Sequence, residues 1–598
     1  MEVSRTFDIL DQIGSKFGQK EDMLAARVNG TWVKHSSQYY HSTAHHVAYG
    51  LLDMGLKKGD RIAMISNNRP EWNIMDMGMS MAGVVNVPIY PTISDEEYAY
   101  ILDHASPKLV IVSDKTLYDR LNPIAAKVKS VKKVLTFNEV ESAPNWREVT
   151  DTGAEKSEQY REDLDKIKAG IDPADMATIL YTSGTTGMPK GVMLSHRNLV
   201  SNALTTSHHV SYDHRHRALS FLPISHVYER MVNYMFQYKG LSIYYAENIG
   251  TIARDSQEVH PQLFGAVPRL LESVYDKIIA KGKELTGIKK SLFFWAVRLG
   301  NRYEPETGNS AFYRMKLKIA DKLIFSKWRN SLGGCTTIIT GGAAIQPRLV
   351  RIFWAAGIEV YEGYGLTETS PVIAVANQTT REVKIGSAGM IIKDVEVKIA
   401  DDGEILAKGP NIMLGYYKDP EMTKEVINGD GYFHTGDIGE VIDGKWLKIT
   451  DRKKEIFKLS SGKYIAPQAI ENKFKESTFI EQIMVIGEHQ KFASAIISPS
   501  FESIERWSQD EGISFNSREE TIADRRVLTL FQEEVNRFNQ QLGQVERIKR
   551  FKLVPDTWGP QTGELSPTLK LKRRVLNEKY ATLISEIFAV DAEKEAVS

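Results

Sequence analysis

Short, continuous apolar runs alternate with longer stretches of helical spacing through roughly the first 450 residues of the chain. Residues 60–66 (DRIAMIS), 108–113 (KLVIVS) and 133–137 (KVLTF) read as buried strands. Residues 96–105 (EEYAYILDHA) place their apolar positions at the spacing of a helix instead. Strands of that kind alternating with helices predict an α/β architecture built on largely parallel sheets. No internal repeat or low-complexity tract interrupts the alternation.

Two stretches depart from it. Residues 281–329 interleave Phe293, Phe294, Trp295 and Phe325 with Lys289, Lys290, Arg298, Lys316, Lys318, Lys322 and Lys327. The ordinary reading is a helix pair that packs its apolar face on the core. The alternative is a basic amphipathic face lying on an anionic membrane. Beyond residues 443–467 the pattern becomes that of a smaller α+β unit, which puts a boundary near Thr450 and divides the chain into 1–450 and 451–598.

Composition narrows the class. At 598 residues the chain exceeds one core, and its 42% hydrophobic and 25% charged residues are those of a soluble globular protein. With 76 basic against 76 acidic residues, no global field selects nucleic acid as a partner. The single cysteine, Cys335, excludes an intrachain disulfide framework and a multi-cysteine metal site, and fits a reducing, cytoplasmic location. The first residues carry acids and no apolar h-region, so no signal peptide is expected. The most apolar long window, residues 74–93, is broken by Asp76, Asn86 and Pro88, short of the roughly 20 apolar residues a membrane span needs. The expectation is a soluble protein, with 281–329 available for peripheral contact with the cytoplasmic membrane face and a homodimer left open.

Residues 179–196 (ILYTSGTTGMPKGVMLSH) carry the candidate chemistry. Thr182 through Gly187 are only Thr, Ser or Gly, set between two apolar runs and closed by Lys190. Bare backbone N–H groups, hydroxyls and one lysine are a generic means of holding phosphates. A Walker A loop is excluded, because Pro189 and Gly191 flank Lys190 and no GK-[ST] follows. A flexible linker fits poorly between two strand-like runs. The histidines at 208, 209, 214 and 216 have no cysteine or acid at zinc spacing.

YTSGTTGMPKG resembles the phosphate-binding signature of the adenylate-forming superfamily, which includes acyl-CoA synthetases, luciferases and peptide-synthetase adenylation domains. Further matches follow in the family's order along nearly the whole chain: TGGAAI (340–345), YEGYGLTETSP (361–371), GYFHTGDIGE (431–440), DRKKEIFKLSSGKYIAP (451–467) and GELSPTLKLKRR (563–574). The resemblance implies an α/β fold with a large N-terminal domain of αβ-layered sheets and a small, mobile α+β C-terminal domain. It implies that Thr182, Ser183, Gly184, Thr185, Thr186, Gly187 and Lys190 hold the ATP phosphates, and that Gly341, Gly342 and Ala343 line the adenine slot. Glu362, Gly363, Tyr364 and Gly365 complete the nucleotide segment. Thr367 takes the α-phosphate, Glu368 with Thr182 holds Mg²⁺, and Asp437 with Arg452 takes the ribose. Lys570 is the catalytic lysine and Lys454 the hinge. Read alone, Asp437 is a turn residue after Gly436, and Lys570 is one of several solvated bases in LKLKRR.

Ser566-Pro567 is a helix-start signal, with Leu576, Tyr580, Leu583 and Ile587 at helical spacing beyond it, which puts Lys570 at that boundary. Leu569 stands where many superfamily members have Gly before the lysine. Gly462 and Tyr464 match the region that approaches CoA. Residues 221–240 (FLPISHVYERMVNYMFQYKG) suit an apolar tunnel or plain core, and lack the acid that amino-acid-activating domains use. His226, Tyr228 and Gly365 are the candidate substrate contacts. Together with 267–278 (VPRLLESVYDKI), these segments are similar to long-chain fatty acyl-CoA synthetases, which implies a long-chain fatty acid, ATP and CoA as substrates. The alternative is a fatty acyl-AMP ligase that loads an acyl carrier protein.

Overall fold

The computed structural model describes residues 2–182, 188–306, 308–453, 455–566 and 569–595. Contacts divide the chain into a larger unit (1–398, 406–435 and 441–448) and a smaller one (399–405, 436–440 and 449–598).

In the larger unit the continuous apolar runs become parallel strands. Arg61–Ile65 pairs with Val85–Ile89 on one side and Leu109–Val112 on the other, and Leu109–Val112 pairs with Lys133–Thr136, all parallel. Met176–Thr182 joins parallel to Val85–Ile89, and Lys190–Ser195 and Gly415–Tyr416 follow antiparallel, completing a seven-stranded sheet. These strands lack a polar alternate because both faces are covered: Ile62 and Met64 belong to one apolar cluster, Ala63 and Ile65 to another. The helix Asp95–Ala105 starts at a capping box between Ser94 and Glu97 and ends where Ser106 turns left-handed at φ 49.

A second sheet of the same unit runs parallel from Leu24–Val28 through Ser242–Tyr245, Arg217–Ser220, Leu263–Ala266 and Thr337–Thr340 to Glu359–Gly365. Val372–Val375 then pairs antiparallel with the end of Glu359–Gly365. The helix Val227–Lys239 is buried from Val227 to Gln237. Met231, Met235 and Phe236 are packed in the main apolar cluster, so plain core describes these side chains.

A network of buried polar groups accompanies that helix. Arg230 pairs with Asp76 at 2.6 Å, with both side chains almost fully buried. Tyr234 donates to the other oxygen of Asp76 at 2.5 Å, and Asn86 donates to Asp76 at 2.7 Å. Asp76, which interrupts the apolar window 74–93, is thus the partner of a buried arginine, and Asn86, a second interruption, hydrogen-bonds the same carboxylate.

Residues 281–329 fold as helices Gly287–Gly300, Ala311–Ala320 and Ser326–Ser331, with a π-helical turn at Asp321–Phe325. Phe293 and Phe325 are buried, and Phe294 and Trp295 pack against the core. The outward apolar stripe is a different set: Phe312 (62% exposed), Met315 (53%), Ile319 (48%) and Leu323 (41%). No helix among the described residues is long and apolar enough to cross a membrane.

The smaller unit contains a three-stranded sheet in which Ile480–Ile486 pairs antiparallel with Ser494–Pro499, and Phe551–Leu553 adds parallel to it. Two apolar clusters pack in this unit, one around Ile483, Ile497 and Phe531, the other around Met484, Ile496 and Leu576. The helix expected to start at Ser566-Pro567 begins instead at Arg573 and breaks at Tyr580 before Ala581–Glu595. Leu576, Tyr580 and Ile587 are nonetheless buried, as their spacing predicts.

Candidate active site

The hairpin register fixes both ends of the Gly/Ser/Thr-rich loop. Thr182 lies opposite Lys190, and Tyr181 opposite Gly191. Residues 183–187, which include Ser183, Gly184, Thr185, Thr186 and Gly187, lie outside the described residues. Past the loop, the Lys190 ammonium stands 5.4 Å from the centre of the Tyr416 ring. That ring is held by the Gly415–Tyr416 strand, in which Tyr416 pairs with Val192. The Tyr416 hydroxyl donates to Glu368 Oε1 at 2.9 Å. Met413 N–H donates to the backbone carbonyl of Glu368 at 2.9 Å. One tyrosine therefore lies between the lysine that closes the loop and the acid of the YGLTETS segment. Burial, reinforced by Glu368, raises the Tyr416 pKa well above that of an ordinary phenol, so the hydroxyl stays a donor. Thr367 opens the short 3₁₀ turn Thr367–Thr369 that presents Glu368.

The other nucleotide-segment residues gather at the carboxyl ends of the parallel strands, where open α/β sheets bind ligands. Gly341 follows Thr337–Thr340, and its N–H donates to Ala266 O at 3.3 Å. Gly342 holds φ +84, which favours glycine, and Gly342 and Ala343 are exposed. Glu362, Gly363, Tyr364 and Gly365 end the adjacent strand, with a bulge between Tyr364 and Gly365. A β-carbon on Gly365 would meet Pro371 O at 1.8 Å, so no other residue fits there. Burial pushes the Glu362 carboxyl up to about 8.

His226 caps the helix Val227–Lys239, its Nδ1 accepting from Tyr228 N–H at 3.1 Å. Tyr228 is buried, donates to Ile339 O at 3.0 Å, and lies 3.9 Å from where a side chain on Gly341 would begin. The structure thus brings Tyr228 beside Gly341. Next to it, Glu229 Oε1 accepts from Ser220 at 2.5 Å, while Oε2 has no hydrogen-bond partner among the described residues. Burial pushes this carboxyl up to about 8 against the pull of Ser220 and Asn233.

In the smaller unit, Asp437 is paired with Arg452 at 3.3 Å across the Phe433–Ile442 and Trp446–Arg452 strands. Lys454 lies outside the described residues. Gly462 and Tyr464 sit on the tight Phe457–Lys458/Tyr464–Ile465 hairpin, with Tyr464 69% exposed and Lys458 over its ring at 5.6 Å. Lys570 stands on a different turn. Its N–H donates to Ser566 Oγ at 3.0 Å, Ser566 N–H donates back to Lys570 O at 2.8 Å, and Leu565 bridges Leu571. Lys570 is therefore exposed on a hairpin ahead of the helix rather than at the helix start. Leu569 holds φ +61, the left-handed conformation that glycine adopts at no cost.

Sequence reasoning did not find Tyr416, Glu229 or Asp451. Tyr416 carries no motif, because its partners come from a strand and a turn remote in the chain. Glu229 lies in a helix that reads as apolar. Asp451, the first residue of the 451–467 motif, is buried with Oδ2 unpartnered among the described residues. Among the histidines at 208, 209, 214 and 216, His216 pairs with Asp213 at 3.0 Å.

The family of the chain is shown by its similarity to known proteins. It belongs to the AMP-binding enzyme family: residues 16–417 match the AMP-binding enzyme model and 454–592 its C-terminal domain. It is 33% identical to a peroxisomal long-chain acyl-CoA synthetase of Arabidopsis thaliana, over 94% of this chain and 83% of that one. It is 30% identical to a long-chain-fatty-acid–CoA ligase of Mycobacterium bovis, over 94% of this chain and 93% of that one. The fold is shared with the A domain of a carboxylic acid reductase from Segniliparus rugosus, solved with AMP and a carboxylic acid (TM-score 0.73, 19% identity, 98% of this chain and 94% of that one).

Proposed function

We propose that this chain is an AMP-forming long-chain fatty acid:CoA ligase. A fatty carboxylate attacks the α-phosphorus of ATP, pyrophosphate leaves and acyl-AMP forms. CoA thiolate then attacks the acyl carbonyl and AMP departs. The observation that carries this reading is the Lys190–Tyr416–Glu368 arrangement at the base of the Gly/Ser/Thr loop. It supplies a cation for the departing pyrophosphate and an oriented carboxylate for a metal-bound triphosphate. The names of the relatives support the long-chain acid and CoA.

In this reading the Gly/Ser/Thr-rich segment closed by Lys190 serves the β- and γ-phosphates. Gly341, Gly342 and Ala343 leave room for the adenine, next to Glu362–Gly365. Thr367 contacts the α-phosphate. Asp437 accepts from the ribose hydroxyls, oriented by its ion pair with Arg452. His226 and Tyr228 face the acyl carboxylate end, Gly462 and Tyr464 meet CoA, and Lys454 is the pivot between half-reactions. Lys570 offsets the charge that builds as the carboxylate attacks. A hard carboxylate at Glu368 and the Thr182 hydroxyl are donors suited to Mg²⁺, which when bound neutralises triphosphate charge.

The stripe Phe312–Met315–Ile319–Leu323, with Lys316 over the Phe312 ring at 4.2 Å, supports peripheral contact with an anionic membrane.

Pyrophosphate release measured with ATP, CoA and saturated acids from short to very long tests the function. The expected maximum falls with long chains and requires CoA. A maximum with aromatic or short acids overturns the substrate class. Turnover supported by acyl carrier protein but not by CoA would make the chain an acyl-AMP ligase.

A further inference from the structure

A group of side chains lies far along the sequence from these motifs. The helices Thr6–Lys16 and Ser37–Asp53 pack closely where Gly14 meets His41, whose ring lies 2.8 Å from the place a β-carbon on Gly14 would occupy. His41 and His45, one turn apart on the second helix, have ring centres 4.4 Å apart. Asp11 Oδ1 lies 3.9 Å from His41 Nε2. One donor atom from each of Asp11, His41 and His45 falls within 4.8 Å of the others.

The second histidine is already set as a ligand would be. His45 Nδ1 lies 2.8 Å from the His41 carbonyl, which only accepts, so Nδ1 carries the proton and Nε2 the lone pair. A carbonyl on the far ring nitrogen is the usual support of a metal-binding imidazole. A cleft of about 430 Å³, lined by Asp11, Gly14, Ser15, Gly18, Gln38 and His41, opens the cluster to solvent. The Lys168 ammonium now sits on the carboxylate, 3.2 Å from each Asp11 oxygen. It also lies 5.4 Å from the centre of the Phe7 ring, a second seat for a cation.

We propose that Asp11, His41 and His45 form a site for a divalent transition metal, with Zn²⁺ the best match to two imidazoles and one carboxylate and with water completing the shell. The metal replaces Lys168 at Asp11 and ties the first helix to the second. It is separate from the Mg²⁺ of the proposed reaction.

Calorimetric titration of the full chain with Zn²⁺, and the visible absorption of Co²⁺ as its spectroscopic stand-in, test the site. The expected result is one site per chain, weakened at least about tenfold by His41→Ala or His45→Ala. Lys168→Met, which removes the competing ammonium while leaving all three ligands, is expected to tighten binding severalfold. Circular dichroism of each variant separates lost binding from lost fold. No Zn²⁺ binding at micromolar metal, binding indifferent to His41 and His45, or a Lys168→Met variant that binds no tighter would each overturn the proposal. Substituting His208, His209, His214 and His216 together is expected to leave binding unchanged, and its loss there would also overturn it.

Discussion

Single side chains in this protein are governed by what burial does to charge. Asp451 is the clearest case: burial pushes its carboxyl up to about 6, against the pull of the Arg452 N–H and with Glu455 and Glu471 adding to the rise. Between the ordinary carboxylate value and about 6, the folded chain holds a proton that the unfolded chain has lost. This residue's contribution therefore falls as pH rises through that window. Asp451→Asn, which stays neutral, is expected to gain on the order of 2 kcal/mol over the native chain between pH 4 and 7. Urea unfolding at both pH values measures it, and an equal difference at the two would remove Asp451 as the cause. At Leu569 the left-handed φ of +61 gives a physical reason why a glycine suits the position before the lysine. Leu569→Gly is expected to fold and to keep acyl-AMP formation within a few fold of the native rate, whereas Leu569→Val, β-branched and ill-suited to that φ, is expected to lose stability.

Elements make a different kind of demand. The helix Val227–Lys239 is surrounded by protein, and Arg230 inside it depends on Asp76 from the helix Pro70–Met81. Breaking one side of such a pair leaves the other charge buried. Arg230→Met or Asp76→Asn alone is expected to cost about 3–5 kcal/mol, and the double variant less than the sum. Urea midpoints of the two single variants and the double complete the cycle, and additive losses would contradict a direct pairing. The helices of residues 311–331 show the opposite face of the same principle. Phe325 and Trp328 go inward, so the residues available to a membrane are Phe312, Met315, Ile319 and Leu323. Ile319→Glu combined with Leu323→Glu is expected to lower sedimentation with phosphatidylserine vesicles by about tenfold, while binding to neutral vesicles stays weak throughout. Unchanged binding would remove the stripe from any role at a membrane.

At the scale of the whole molecule, the proposed residues divide between the two units: Lys190, Glu368 and His226 in the larger, Asp437 and Lys570 in the smaller. Their contributions to the two half-reactions are expected to separate accordingly. Lys570→Ala is expected to reduce acyl-AMP formation by at least about 10²-fold while sparing thioesterification of supplied acyl-AMP, because the proposed role of its charge is confined to the attack of the carboxylate on phosphorus. Pyrophosphate exchange reads the first step and acyl-CoA formation from acyl-AMP the second, and equal losses in both would refute the assignment. The sequence by itself determined the strands, because runs such as LVIV can be satisfied only by burial on both faces. It also determined the ordered motifs, because Thr182 opposite Lys190 follows from a local hairpin. Tertiary structure alone decided which remote groups meet. Tyr416 is set beside the Lys190 strand by strand pairing and reaches Glu368 through its hydroxyl, Asp76 meets Arg230 across the core, and Asp11 meets two histidines across a helix contact. Sequence periodicity reports which face of an element is buried, but the partner on that face is chosen by packing between segments far apart in the chain.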